Sequence, residues 1–221
     1  VKMKINYPTP KHRKYIDYMQ DICNEQRLSL VLEGSLAAGK AGCFSDIDLI
    51  LTGNITAGQL EKIISGYGSL AMTNYTEKPK GILILNYTDG ISVDLDIRKT
   101  VLKEEIAVNH ILCNFGFDIG KRVERLGLRM DLVPERPLWY KTLRLIHRCC
   151  LKYLTGKIEN ADGLEREVAE GVEQCCGIRL QRQAIPKSMI EAFNTIDEYF
   201  SVEVIIRELF EPLFKEMKEK A

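Results

Sequence analysis

The sequence lacks several features that would fix a function class at once. No run approaches the ~20 apolar residues needed to span a bilayer, so there is no candidate membrane helix. Neither sign of charge is in excess, with 31 Lys and Arg against 31 Asp and Glu. A chain without an overall basic field is a poor candidate for broad nucleic-acid binding. Histidine is scarce, at three, and the seven cysteines contain no Cys-x-x-Cys, which removes the usual zinc spacing. The adjacent pairs Cys149-Cys150 and Cys175-Cys176 read instead as reduced, structural thiols of a cytoplasmic protein. Internal repeats and low-complexity tracts are missing. The first residues, with Lys2, Lys4, Pro8 and Pro10, have no apolar centre of the signal-peptide kind. What remains is ordinary for a soluble globular protein. Of 221 residues, 45% are hydrophobic and 28% charged, enough for one large or two small domains with a real core.

The most informative stretch runs from Leu28 to Leu51 and reads LSLVLEGSLAAGKAGCFSDIDLIL. Its apolar opening, Leu28 to Leu32, predicts a strand. Gly34-Ser35 and a loop of small residues carrying Gly39 and Gly42 follow, then a second expected strand from Ser45 to Leu51. Side chains alternate along a strand, so Asp46 and Asp48 share one face and Ile47 and Leu49 the other. Carboxylates this close repel, and they either lose stability, take up a proton or hold a cation. Hard oxygen ligands of this type suit Mg²⁺ better than Zn²⁺. The Gly-Ser turn is where backbone N–H groups could close on a phosphate. Glu33, just before it, has no role legible in the sequence.

Gly34-Ser35 followed by Ser45-Asp46-Ile47-Asp48-Leu49 resembles the signature of the DNA polymerase β-type nucleotidyltransferases. In size the chain is similar to the small antibiotic (aminoglycoside or lincosamide) adenylyltransferases of that superfamily. Relatives often carry an arginine within the loop. Here Leu36-Ala37-Ala38-Gly39 has none, and Lys40 is the candidate for the missing charge. The resemblance implies an α/β domain of the α+β kind, a mixed sheet with flanking helices, over roughly residues 1–130. An all-helical acceptor-binding domain over 131–221 would follow. It implies transfer of a nucleoside monophosphate, AMP from ATP or another nucleoside triphosphate, onto an acceptor hydroxyl. A small-molecule acceptor such as an antibiotic is favoured. Two Mg²⁺ ions would sit on Asp46, Asp48 and a third carboxylate, while Gly34, Ser35, Lys40 and Ser45 would hold the nucleotide. Two other readings keep the same fold: a non-catalytic nucleotide-binding or regulatory protein, and an RNA- or protein-modifying nucleotidyltransferase.

The rest of the chain fits this frame. Lys11 to Arg27 has Ile16, Met19 and Cys23 at helical spacing, and Gln59 to Tyr67 reads as a second helix. Lys78 to Gly81 is an expected turn. Asp89-Gly90 between the apolar runs 82–88 and 91–98 is a hairpin signal. The second run places Asp94 and Asp96 on one face, and either could be the third catalytic carboxylate. Asp94 is the first choice, with Asp96 as a neighbour that helps with metal or accepts the substrate proton. Helices are expected over Val101–Cys113 and Asp118–Leu128, with a linker at Pro134 and Pro137. Further helices are expected to Thr155, over Glu165–Cys176, and over Ser188–Met217 with a break near Ser201. Lys141, Arg144, Arg148 and Lys152 make a basic stripe on the Trp139 helix, read as a solvated face with triphosphate contact as the alternative. His110 and His147 read as structural residues.

Overall fold

The computed structural model describes residues 3–77, 79–126 and 133–221. The chain forms two compact units, Val1–Pro134 and Glu135–Ala221. The sequence-based boundary at residue 130, and Lys78 of the expected turn, lie outside the described residues.

In the first unit, α1 (Pro10–Gln26) begins at Thr9, whose hydroxyl accepts from the His12 backbone N–H, and ends at Arg27 in a left-handed conformation. Its buried stripe is Tyr15, Ile16, Met19 and Cys23. Then come β1 (Ser29–Glu33), a single turn α2 (Gly34–Ala37), β2 (Ile47–Thr52) and α3 (Ala57–Ser65). The unit continues with β3 (Leu70–Glu77), β4 (Lys80–Tyr87), β5 (Ser92–Arg98), α4 (Lys103–Val108) and β6 (His110–Cys113). The six strands form one mixed sheet in the order β3-β4-β5-β2-β1-β6. Only β2 and β5 run parallel; every other neighbouring pair is antiparallel.

One sheet face is apolar. Leu30 and Leu32 of β1, Leu49 and Leu51 of β2, and Val93, Leu95 and Ile97 of β5 pack there with Tyr15, Ile16 and Met19 of α1 and Leu60 and Ile63 of α3. The rings of Tyr15 and Tyr87 meet that of Tyr67 edge-on, at 4.8 and 4.9 Å. Alternation then sends the intervening residues of the three central strands to the opposite face. That face is polar at one end, and at the other it closes over a small cluster of Val31, Ile50 and Val101 with Ile106 and Phe117.

Two expected helices are corrected. The segment 101–113 is helical only over α4, and its second half is β6, paired with β1. Pairing with an open sheet edge outweighs the local helical pattern there. The described part of 118–128 is not helical; it lies as isolated bridges, Val101 with Ile119 and Arg98 with Arg125. The sequence reading also passed over β3, α2 and β6.

The second unit is helical: α5 (Leu138–Leu154), α6 (Ile158–Cys176), α7 (Ile185–Phe200) and α8 (Val204–Lys220). Helix α5 packs against the other three, burying Leu143, Ile146 and Cys150. Ser201, with φ of 50°, makes the expected break between α7 and α8. Among the described residues no helix is long and apolar enough to cross a membrane.

Candidate metal centre

The site forms on the polar face, where β1 ends and β2 and β5 begin. Strand β1 stops at Glu33, and Gly34 turns the chain with φ of +69°. A Cβ at Gly34 would stand 1.9 Å from Asp48 Oδ2, so the Asp48 carboxylate rests directly on the glycine. The loop then returns to β2 through a pinned corner. Ser45 Oγ accepts from the Gly42 N–H at 2.9 Å, and the Ser45 carbonyl lies 3.0 Å from His12 Nε2. Asp46 follows at once, just before β2 begins.

Parallel pairing of β2 with β5 sets Asp48 beside Asp94. Asp46, Asp48 and Asp94 are half-buried and bring one carboxylate oxygen each to within 4.8 Å of one another. Antiparallel pairing of β1 with β2 sets Glu33 on the other side of Asp48, so carboxylates from three strands lie in one row.

Asp96 is not in this group. It is buried, and both of its oxygens accept from arginine. Arg125 donates through Nε and Nη2 at 2.8 Å each, and Arg98 Nε donates at 2.8 Å. Arg98 also donates to Glu105 at 2.6 Å. Burial alone would lower the pKa of Arg98, but Glu105 and Asp96 outweigh it and hold it above its ordinary value. Burial raises the Glu33 carboxyl, with Arg98 opposing that shift.

Of the expected nucleotide ligands, Gly34 and Ser35 sit at the turn beside Asp48. The Ser35 hydroxyl is buried without a hydrogen-bond partner among the described residues. Lys40 is exposed on the loop, its backbone N–H donating to the Ser35 carbonyl at 2.9 Å. Ser45 spends its side chain on the Gly42 N–H.

No family model matches the chain, and no curated protein matches it in sequence.

Asp46, Asp48 and Asp94 fit a hard divalent cation. The donors are carboxylate oxygens from two adjacent strands, close enough to share one ion. The glycine that a side chain cannot replace lies against one donor, and an unsatisfied buried hydroxyl stands next to it. Gly34→Ala tests the packing. The left-handed backbone alone costs about 1–2 kcal/mol with a Cβ present, and the methyl must also push Asp48 aside. Urea unfolding should show that loss, and a Mn²⁺ titration should show weaker binding. Unchanged metal affinity in the alanine variant would separate Asp48 from Gly34.

Sequence reasoning missed His12, Arg98, Arg125 and Glu105. His12 is buried at 2% exposure. A carbonyl can only accept, so Nε2–H donates to Ser45, and Nδ1 accepts from the Thr9 hydroxyl at 2.7 Å. This neutral tautomer holds the corner before Asp46. Burial lowers the His12 pKa below 6.5, partly offset by the Ser45 hydrogen bond. The unfolded chain therefore binds this proton first as pH falls. The expected result is full His12-linked stability above 6.5, declining below it by at most about 1.4 kcal/mol per pH unit until the folded imidazole also protonates. Urea midpoints at pH 7 and about 5.5 should separate less in His12→Gln than in the parent. Equal separations would remove His12 from this role.

Proposed function

We propose that the chain is a metal-dependent nucleotidyltransferase. It moves a nucleoside monophosphate from a nucleoside triphosphate, with ATP preferred, onto a hydroxyl of an acceptor, and a small molecule such as an antibiotic suits best. The observation that supports this most is the convergence of Asp46, Asp48 and Asp94 beside the Gly34-Ser35 turn. A bare acidic surface would not need a glycine packed under one of its carboxylates.

Asp46, Asp48 and Asp94 would hold Mg²⁺, which when bound neutralises charge at the transferring phosphate and the pyrophosphate and lowers the pKa of the attacking hydroxyl. The chain's own groups do the positioning. The backbone at Gly34 is open enough for a phosphate oxygen to approach, and the buried Ser35 hydroxyl has a hydrogen bond to give. Lys40, exposed on a long stem, reaches for the outer phosphates as a point charge. Ser45 and His12 keep Asp46 at the strand mouth. Asp96, clamped by Arg98 and Arg125, fixes β5 so that Asp94 meets Asp48. The test is incubation with α-phosphate-labelled ATP, Mg²⁺ and a panel of antibiotics, RNAs and proteins. Label should move to a member of the panel only when Mg²⁺ is present.

A further inference from the structure

The residues ahead of α1 run along the loop that leads to Asp46. Ile5 and Tyr7 pack on the apolar core of the first unit, which holds the residue between them in place. That residue, Asn6, meets the loop at two points. Its backbone N–H donates to the Leu36 carbonyl at 3.1 Å, and its side-chain Nδ2 donates to the Ala41 carbonyl at 2.8 Å. Lys4 lies beside the same loop, since a Cβ on Gly39 would stand 3.2 Å from the Lys4 carbonyl.

The two contacts bracket a short span. Between Leu36 and Ala41 lie Ala37, Ala38, Gly39 and Lys40, and Lys40 is the one charged residue among them. Turns inside the loop tie its first limb, through the Gly39 N–H to the Leu36 carbonyl at 3.2 Å and the Lys40 N–H to the Ser35 carbonyl at 2.9 Å. The returning limb is tied to Asn6 at Ala41. Gly39 and Lys40 are exposed, and Gly39 stands in the left-handed region with φ of +70°. Small side chains make few contacts, and glycine leaves the most backbone freedom to remove. The place of Lys40 therefore depends on both limbs being held, and Asn6 holds both.

We propose that Asn6 is a positioning residue for the triphosphate, presenting Lys40 to its outer phosphates. The inference rests on the nucleotidyl-transfer reading and adds to it a residue outside the Gly34–Asp48 pattern. Asn6 meets the loop backbone and acts through Lys40. An amide suits this place, because it gives the Ala41 carbonyl a donor without bringing charge to the loop. Its loss should weaken the part of nucleotide affinity that comes from the β- and γ-phosphates. The metal carboxylates are set separately, by strand pairing and by the Ser45 corner.

The test compares the parent, Asn6→Leu, Lys40→Gln and the double variant in titrations with ATP and with AMP, Mg²⁺ present. Leucine is close to asparagine in size and has no donor. Asn6→Leu and Lys40→Gln should each weaken ATP about tenfold and leave AMP within about twofold of the parent. In the Lys40→Gln background, Asn6→Leu should cost ATP less than about twofold, because the charge it positions is gone. A general loosening of the fold would weaken ATP and AMP alike and cost the same in both backgrounds. Mn²⁺ affinity without nucleotide should stay within about twofold of the parent. Asn6→Ser keeps the backbone contact, cannot reach Ala41, and serves if the leucine variant does not fold. Parental ATP affinity in the Asn6 variants, an equal loss for AMP, or additive losses with Lys40→Gln would overturn the role of Asn6 and leave the triphosphate reading standing. A parent that binds ATP no better than AMP would contradict that reading itself, and the role of Asn6 with it.

Discussion

Replacing Asp48 by asparagine should abolish nucleotidyl transfer while leaving the protein folded. The side chain keeps its shape but loses the charge a divalent ion needs. Asp48 pairs with Asp94 across strands, rests on Gly34 and stands within 4.8 Å of two other carboxylates. A rate loss of at least about three orders of magnitude, some 4 kcal/mol of barrier, is the expected scale. Without metal the variant should be as stable as the parent or more so, because one of three repelling charges is gone. Asp46→Asn should behave alike. Steady-state transfer rates and metal-free urea unfolding measure the two halves. A variant that keeps near-parental transfer ends the assignment of Asp48.

The second large effect separates two aspartates about 6.6 Å apart along one strand face. Asp94→Asn should resemble Asp48→Asn, with transfer lost and stability held. Asp96→Asn should do the opposite. Asp96 is 2% exposed and accepts three hydrogen bonds from Arg98 and Arg125. Neutralising it leaves two guanidiniums with their buried partner gone, a defect worth about 3–5 kcal/mol. Its transfer rate, measured where the protein is still folded, should fall far less than that of Asp94→Asn. Rates in the reverse order would move the third ligand to Asp96. Activity in both variants would place the third carboxylate elsewhere.

The amino-acid pattern carries one part of this site and not the other. The pattern from Gly34 to Leu49 is local: a strand, a small-residue turn, and carboxylates two apart on the next strand. Strand periodicity also put Asp94 and Asp96 on one face. The choice between them depends on partners far along the chain. Parallel pairing sets Asp94, not Asp96, beside Asp48, and Arg125 reaches Asp96 from 29 residues away. Strand β6 was hidden for the same reason, since four residues following a helical turn become a strand only because the edge of β1 is open. His12 gave no signal of its own. A histidine in the first turn of an amphipathic helix reads as an ordinary surface residue until the loop bearing Ser45 folds over it.

The most direct test of the account is the fate of the α-phosphate. With doubly labelled ATP, Mg²⁺ and an acceptor, the parent protein should place α-label on the acceptor and release an equal amount of pyrophosphate. Asp48→Asn should do neither. Transfer of the γ-label, release of orthophosphate in place of pyrophosphate, or α-label transfer that survives Asp48→Asn would contradict it.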